Sequence, residues 1–573
     1  MSFPRILSAA SIVLYFFCSI SRATEPSPSN QPGGVIWAEQ GWTQSERDFY
    51  HFASQGSILS PTDWFMALER ASSRGLLSDP AYLSTLGFLA APPSPSNSLG
   101  LPIGFAVAPD NSMAKGTIGF TCSACHSGQL QYKGYKYRID GAQTLANTPA
   151  LGGELQKAML ETYYSPEKWN RFAHRVLKKQ YNVNSEKQLR TSFGDSIRNV
   201  EWGLYYAETL GIDPVVSGYG RSDAIDTGAN KLFAIDLRES SNFHVANAPV
   251  SYPFLWDIWK FDWLQYDGSF VQPMGRNVGE ALGVGASTNY LFSKSPGESK
   301  WANSVNVSNL IQIQTQLPSL KAPVWPSKLF GPYNSKLAMQ GRSLFTQNCS
   351  SCHAPRPILP PGDRFAKIAV YKMPADEIGT DPQRVINTTT AKFDPSKLFG
   401  FNSPDIDLAQ GLFAATEGAK NWAYDKMNLT PEQRGQADGF DRPNIFHFEM
   451  VYKARTLDGV WTSPPFLHNG SVRNIYELLS PVSQRAKQFW VGLSDFDPVR
   501  IGLGPKVNNY GFVMDTAITG NSNSGHEFSN ISGKGVIGPL LSHQEKMALI
   551  EYLKAIPEMP PTPLPGVSLD WLK

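Results

Sequence analysis

Two stretches decide the reading of this chain: Cys122-Ser123-Ala124-Cys125-His126 and Cys349-Ser350-Ser351-Cys352-His353. Both follow Cys-x-x-Cys-His, the spacing in which two thiols form thioethers to haem vinyl groups and the adjacent histidine swings beneath the iron as its proximal ligand. A redox dithiol needs neither the neighbouring histidine nor a second copy. A structural zinc site wants four ligands from paired knuckles, and His126 and His353 are 227 positions apart. The sequence therefore predicts two covalently bound haems c, with Cys122, Cys125, Cys349 and Cys352 as attachment points and His126 and His353 as iron ligands.

The chain has 573 residues, 51 basic and 49 acidic, and is 41% hydrophobic. That length suggests several cores rather than one. The 48 glycines and 43 prolines are many for a helical protein and predict long ordered loops. Aromatic residues make up 12%, suited to wrapping something large and flat. Arg5, the apolar run Ile6 to Ile20 and Ser21-Arg22-Ala23 read as a signal peptide over 1–23, and so predict a periplasmic or secreted protein. Cys18 lies inside that run without the small residues that precede a lipoprotein cysteine. Removing 1–23 takes away Arg5 and Arg22 and leaves 49 basic against 49 acidic residues. No basic stripe suits nucleic acid, and no later stretch is long and apolar enough for a membrane span.

Leu337, Gly341, Leu344 and Phe345 fall on one helix face before the second motif. Near the end, Ser542-His543-Gln544-Glu545 is a capping box, followed by Leu549, Ile550, Leu553 and Ile556 on an amphipathic helix. A haem motif after one helix, with a second helix closing the domain, resembles the class I cytochrome c fold, in which a glycine such as Gly341 lets the helices cross closely. The insertion between them is far longer than in a small electron carrier. The first motif has a looser setting; Thr43 to Glu46 caps one upstream helix and Pro61 to Glu69 reads as another. Proline-rich joints lie at 24–34, 92–97, 318–332 and 557–565. The expected fold is mainly α with long ordered loops, built from two cytochrome c-like haem domains: 24–325, and 333–573, the latter class I-like with a large insertion.

Function then turns on the second axial position of each iron. If protein fills both faces the haem transfers electrons; an open face binds oxygen or peroxide. His468 stands out, held between Pro464-Pro465 and the Asn469-Gly470 turn. Met373, before Pro374, is its rival, and His526 suits a haem propionate. His51, His174, His244, His447 and His543 carry no readable motif. Nothing comparable to His468 accompanies the first motif, which favours an open, reactive site there.

Trp461-Thr-Ser-Pro-Pro-Phe-Leu-His468-Asn-Gly-Ser-Val, with Tyr452-Lys-Ala-Arg455 before it, resembles the distal-loop signature of rubber oxygenase A and its di-haem relatives. Gly41-Trp42-Thr43, Gln55-Gly56-Ser57, Asp63-Trp64-Phe65 and Gly520 to His526 are similar too. The wider group takes in di-haem cytochrome c peroxidases, MauG-type maturation enzymes and di-haem fatty-acid dioxygenases. The resemblance implies that His468 is the distal ligand of the C-terminal haem and that the N-terminal haem is the reactive one. Relatives place a Trp-Asp-Gly relay between the haems. Here that position is Tyr266, with Trp263 close by. Glu280 matches their distal acid, and Leu282 falls about where the rubber oxygenase has a distal aromatic. A plainer reading of this segment is core packing and a helix cap.

Three functions follow as expectations. One is an oxygenase using dioxygen at the N-terminal haem on a small or polymeric apolar substrate such as polyisoprene or an unsaturated fatty acid. The second is a peroxidase or MauG-type oxidant using hydrogen peroxide, with Glu280 as acid–base group. The third is an electron-transfer cytochrome with a redox partner protein, which the large insertion and the missing distal ligand oppose.

Overall fold

The computed structural model describes residues 34–289, 300–356, 368–398 and 403–561. The signal-peptide reading of 1–23 lies outside them.

The first motif sits among strands. Thr117–Phe120 leads into a single turn, Cys122–Ala124, and Ser127–Tyr132 leads out and pairs antiparallel with Tyr135–Asp140. Lys133 and Gly134, both at positive φ, make the two-residue turn between them. Thr121 caps the motif turn, its hydroxyl accepting from the Ser123 N–H and donating to the His51 carbonyl. Gly104 lies against this turn at φ +94°; a Cβ there would stand 2.3 Å from the Ala124 Cα, so only glycine allows the approach. The sheet runs, in order, Val35–Trp37, Tyr135–Asp140, Ser127–Tyr132, Gln488–Asp497 and Gly502–Asp515. It therefore draws strands from both sides of the 318–332 joint. The largest buried cluster does the same, running from Ala38 to Ile556.

The second motif has a different setting. Helix Ser335–Asn348 ends at Cys349, and the short turn Ser350–His353 follows. Helix His543–Ala555, started by the Ser542/Glu545 capping box, crosses it. Gly341 lies at the crossing: a Cβ there would be 2.0 Å from the Ala548 carbonyl oxygen.

Among the described residues there are six separate sheets besides the helices. The expectation of a mainly α molecule built from two cytochrome c-like domains is therefore corrected. Crossed helices frame only the second motif, whereas a strand–turn–strand carries the first. The reason is local: the first motif lacks an apolar helical face before it, and the residues after it alternate as a hairpin. Among the described residues no helix is long and apolar enough to cross a membrane.

Candidate functional site

At the second motif Cys349, Cys352 and His353 open onto a cavity of about 490 Å³. His353 Nδ1 lies 2.7 Å from the Arg455 carbonyl. A carbonyl oxygen only accepts, so Nδ1 carries the proton and Nε2 keeps its lone pair, the tautomer a metal ligand needs. His468 and Met373 line the same cavity. The His468 loop is pinned from three sides. Its carbonyl accepts from the Ser251 N–H at 2.8 Å, Arg221 donates to the Asn469 carbonyl at 2.9 Å, and Asn469 donates to the Ser522 carbonyl. The imidazole, 8% exposed, stacks 4.2 Å from the Tyr452 ring. Met373 lies on strand Tyr371–Pro374, paired with Val451–Ala454 so that Met373 faces Tyr452 in register.

His526 is a third imidazole in this cavity, its ring centroid 6.3 Å from that of His353. Arg485 holds its loop through the Gly525 and His526 carbonyls. Burial is the main force on all three imidazoles. It lowers the pKa of His353, and it takes His468 and His526 to about 3, helped by the cations Arg384 and Arg221 for His468 and by His353 and Arg485 for His526. They are neutral at ordinary pH, with lone pairs available.

Around the first motif, Tyr50 donates to the His126 carbonyl at 2.7 Å, and the Cys122 thiol to Gln55 Oε1 at 3.2 Å. The Tyr252 ring stands edge-on, 6.0 Å from His126. Burial, then Arg276, lowers the His126 pKa to about 3. His51, whose carbonyl holds the motif turn, bonds Asp140 Oδ1 through Nε2 at 2.6 Å. Burial also pushes the Cys122 thiol up to about 11 and those of Cys125 and Cys349 up to about 12. A redox dithiol would show the opposite shift.

Glu280 is on helix Pro273–Gly283, near its C-terminal end, so it does not cap that helix. It accepts from Gln265 Nε2 at 3.0 Å and lies 3.6 Å from Arg276. Glu280 pushes the Cys122 thiol pKa up and Arg276 pulls it down, each less than burial does. The Glu280 side chain is 40% exposed. Tyr266 lines the second cavity and bonds Ser251 Oγ at 2.9 Å. Trp263 is half-buried beneath Lys372, whose Nζ is 3.7 Å from its ring centroid. Leu282 is fully buried in the core.

Haem fits this donor set. Each motif presents two thiols and a neutral histidine. Several buried donors also lack an acceptor: Gln55 Nε2, Gln143 Nε2 and Arg276 Nε, and Arg455 Nε beside the second cavity. A cofactor edged with carboxylates supplies what such donors want.

Taken together, the crossed helices and the cavity beside Cys349, Cys352 and His353 define a cytochrome c-like domain. Residues 451–491, which carry Arg455 and His468, match the family described as RoxA-like, cytochrome c-like. Such a domain implies covalently bound haem c and points to a haem-related oxidoreductase. The chain belongs to the family of the uncharacterized protein y4iJ of Sinorhizobium fredii, with 35% identity over 91% of this chain and 93% of that one. The uncharacterized protein y4iM of the same organism is 28% identical over 53% of this chain and 63% of its own length.

Sequence reasoning missed the His51–Asp140 pair and the role of Arg455. Neither has a local pattern; the partners are far apart in the chain.

Proposed function

We propose that the protein is a di-haem c-type oxidoreductase, an oxygenase whose reactive haem is held by Cys122, Cys125 and His126 and whose substrate is apolar and unsaturated, polyisoprene or a fatty acid. The observation that carries this reading is the asymmetry of the two sites. The second cavity gathers His353, His468 and Met373, so protein side chains are at hand for both faces of a haem. At the first, the groups nearby are Gln55, Tyr50 and Tyr252, with His51 bonded to Asp140 through Nε2. A haem with an open face supplies the oxygen or peroxide chemistry. The chain's part is to hold the iron through His126, to exclude other ligands, and to leave the Glu280 carboxylate within reach of water. Arg276 beside it balances its charge.

The position of Glu280 also favours a second reading, a peroxidase or MauG-type oxidant, in which that carboxylate moves a proton during cleavage of the peroxide O–O bond. Oxygen uptake separates the two. The oxygenase reading expects the holoprotein to consume dioxygen with polyisoprene latex or oleate and no added peroxide. Glu280→Gln should then cost little. Turnover only with peroxide, lowered roughly 10²–10⁴-fold by Glu280→Gln, would establish the second reading instead.

A further inference from the structure

The two histidines of the second cavity are oriented by different means. His353 has a hydrogen bond for its Nδ1, to the Arg455 carbonyl at 2.7 Å. Among the described residues no hydrogen bond reaches a ring nitrogen of His468. What the His468 imidazole meets is a ring. Tyr452 stacks on it, 4.2 Å between centroids and 28° from parallel, and both side chains are buried. Tyr266 stands edge-on to it at 6.2 Å. Tyr452 is fixed at both ends. Its backbone pairs with Met373 in the strand ladder, and its hydroxyl donates to the Asp381 carbonyl at 2.6 Å. The Asp381 carboxylate accepts from the Ser522 N–H at 2.9 Å. The Ser522 carbonyl accepts from Asn469 Nδ2 and from Ser471 Oγ, each at 2.9 Å. Asn469 follows His468 in the chain, so the contacts return to the histidine from which they started. Asp381, Asn469 and Ser471 are buried, which keeps water out of these bonds.

We propose that Tyr452 is a positioning residue: its ring sets the plane of the His468 imidazole, and its hydroxyl, through Asp381 and Ser522, locks that plane to the loop carrying the histidine. The inference rests on the reading above in which His468 serves one face of the second haem. A ligating histidine ordinarily has its plane fixed by a hydrogen bond from the ring nitrogen away from the metal. The torsion that turns an imidazole about its Cβ–Cγ bond is soft. A ring without such a bond therefore keeps one plane only where a neighbour closes off the others, and a stacked ring does this by contact. Tyrosine suits the task because it joins a flat apolar face to a polar tip that can be tied when buried. A phenylalanine would keep the face and lose the tie; a leucine would lose both.

The test is electron paramagnetic resonance of the oxidised holoprotein, in which the g-values of a low-spin haem report the plane of an axial imidazole. His468→Ala is measured first. If it leaves every signal unchanged, His468 serves no haem face, and the reading has failed and takes the inference with it. Where His468→Ala removes a low-spin signal, Tyr452→Leu should keep that signal but shift and broaden its g-values, and Tyr452→Phe should shift them less. An unshifted signal in Tyr452→Leu overturns the inference and leaves the reading intact. A residue needed only for stability would lower the unfolding midpoint with the g-values of the folded fraction unmoved, which also overturns it. If Tyr452→Leu yields no folded protein, Tyr452→Phe, which removes a single oxygen atom, carries the test alone: a broadened signal is expected, and an unchanged one overturns the inference.

Discussion

Gly341→Ala tests the packing that walls the second cavity. At the crossing of helices Ser335–Asn348 and His543–Ala555, an alanine Cβ would lie 2.0 Å from the Ala548 carbonyl oxygen, 2.5 Å from its carbon and 2.8 Å from the Tyr552 Cβ. None of these is the free end of a flexible side chain, so the helices themselves must part by more than an ångström. Overpacking costs about 1–3 kcal/mol, and a clash with backbone belongs at the upper end. Against this, alanine in a helix interior gains about 1 kcal/mol over glycine. The net loss is about 2 kcal/mol. Phe345, Leu549 and Leu553 of the same two helices line the cavity, so their separation also loosens the haem wall. Thermal unfolding followed by far-ultraviolet circular dichroism and by haem absorbance should show a lowered midpoint by both probes. A midpoint unchanged or raised, as for an unpacked helical glycine, would refute the reasoning.

His468→Ala should convert the second haem from a low-spin to a high-spin or water-bound form in electron paramagnetic resonance, with Met373→Ala leaving it low-spin; the reverse pattern would make Met373 the ligand. Asp140, fully buried, accepts from His51 at 2.6 Å and from Arg47 at 2.7 Å. Burial pushes its pKa up, but those hydrogen bonds and charges outweigh burial and hold it below the ordinary value. Its stabilisation is thus complete above the unfolded-state pKa of about 3.9 and is lost as pH falls through the lower folded value. Asp140→Asn should cost about 3–5 kcal/mol at pH 7, measured by urea unfolding, and the difference from the unsubstituted chain should shrink below about pH 4; equal stability at pH 7 would show that the pair carries no load.

What the sequence made legible was local. The Thr43/Glu46 and Ser542/Glu545 boxes start helices where their spacing says, at Gln44 and His543, because a cap acts within four residues. Gly341 was readable as a close approach because the resemblance to the class I cytochrome c fold puts a glycine at that helix crossing, where it lies. The hairpin Ser127–Asp140 is likewise written in the sequence, as an alternating run broken by Lys133-Gly134. That run is why the first site is built on a sheet. The hairpin Gln488–Asp515, which extends this sheet, pairs with it through Asp495 and Gln131, a contact between distant parts of the chain that no local pattern encodes. The same limit hid the Asp140 partner of His51 and the contact of the Arg455 carbonyl with His353. His468 stands out by its prolines and turn, and Met373 and His526 by their neighbours; the cavity the three line is assembled from separate segments of the chain.

The central claim is that one chain carries two covalent haems, each on its own motif. Mass spectrometry of the denatured, acid-acetone-washed protein, with its pyridine haemochrome spectrum, tests it most directly. The expected result is two haems c per chain, falling to one in Cys122→Ala/Cys125→Ala. A single haem in the unsubstituted chain, or haem removed by the wash, would contradict it.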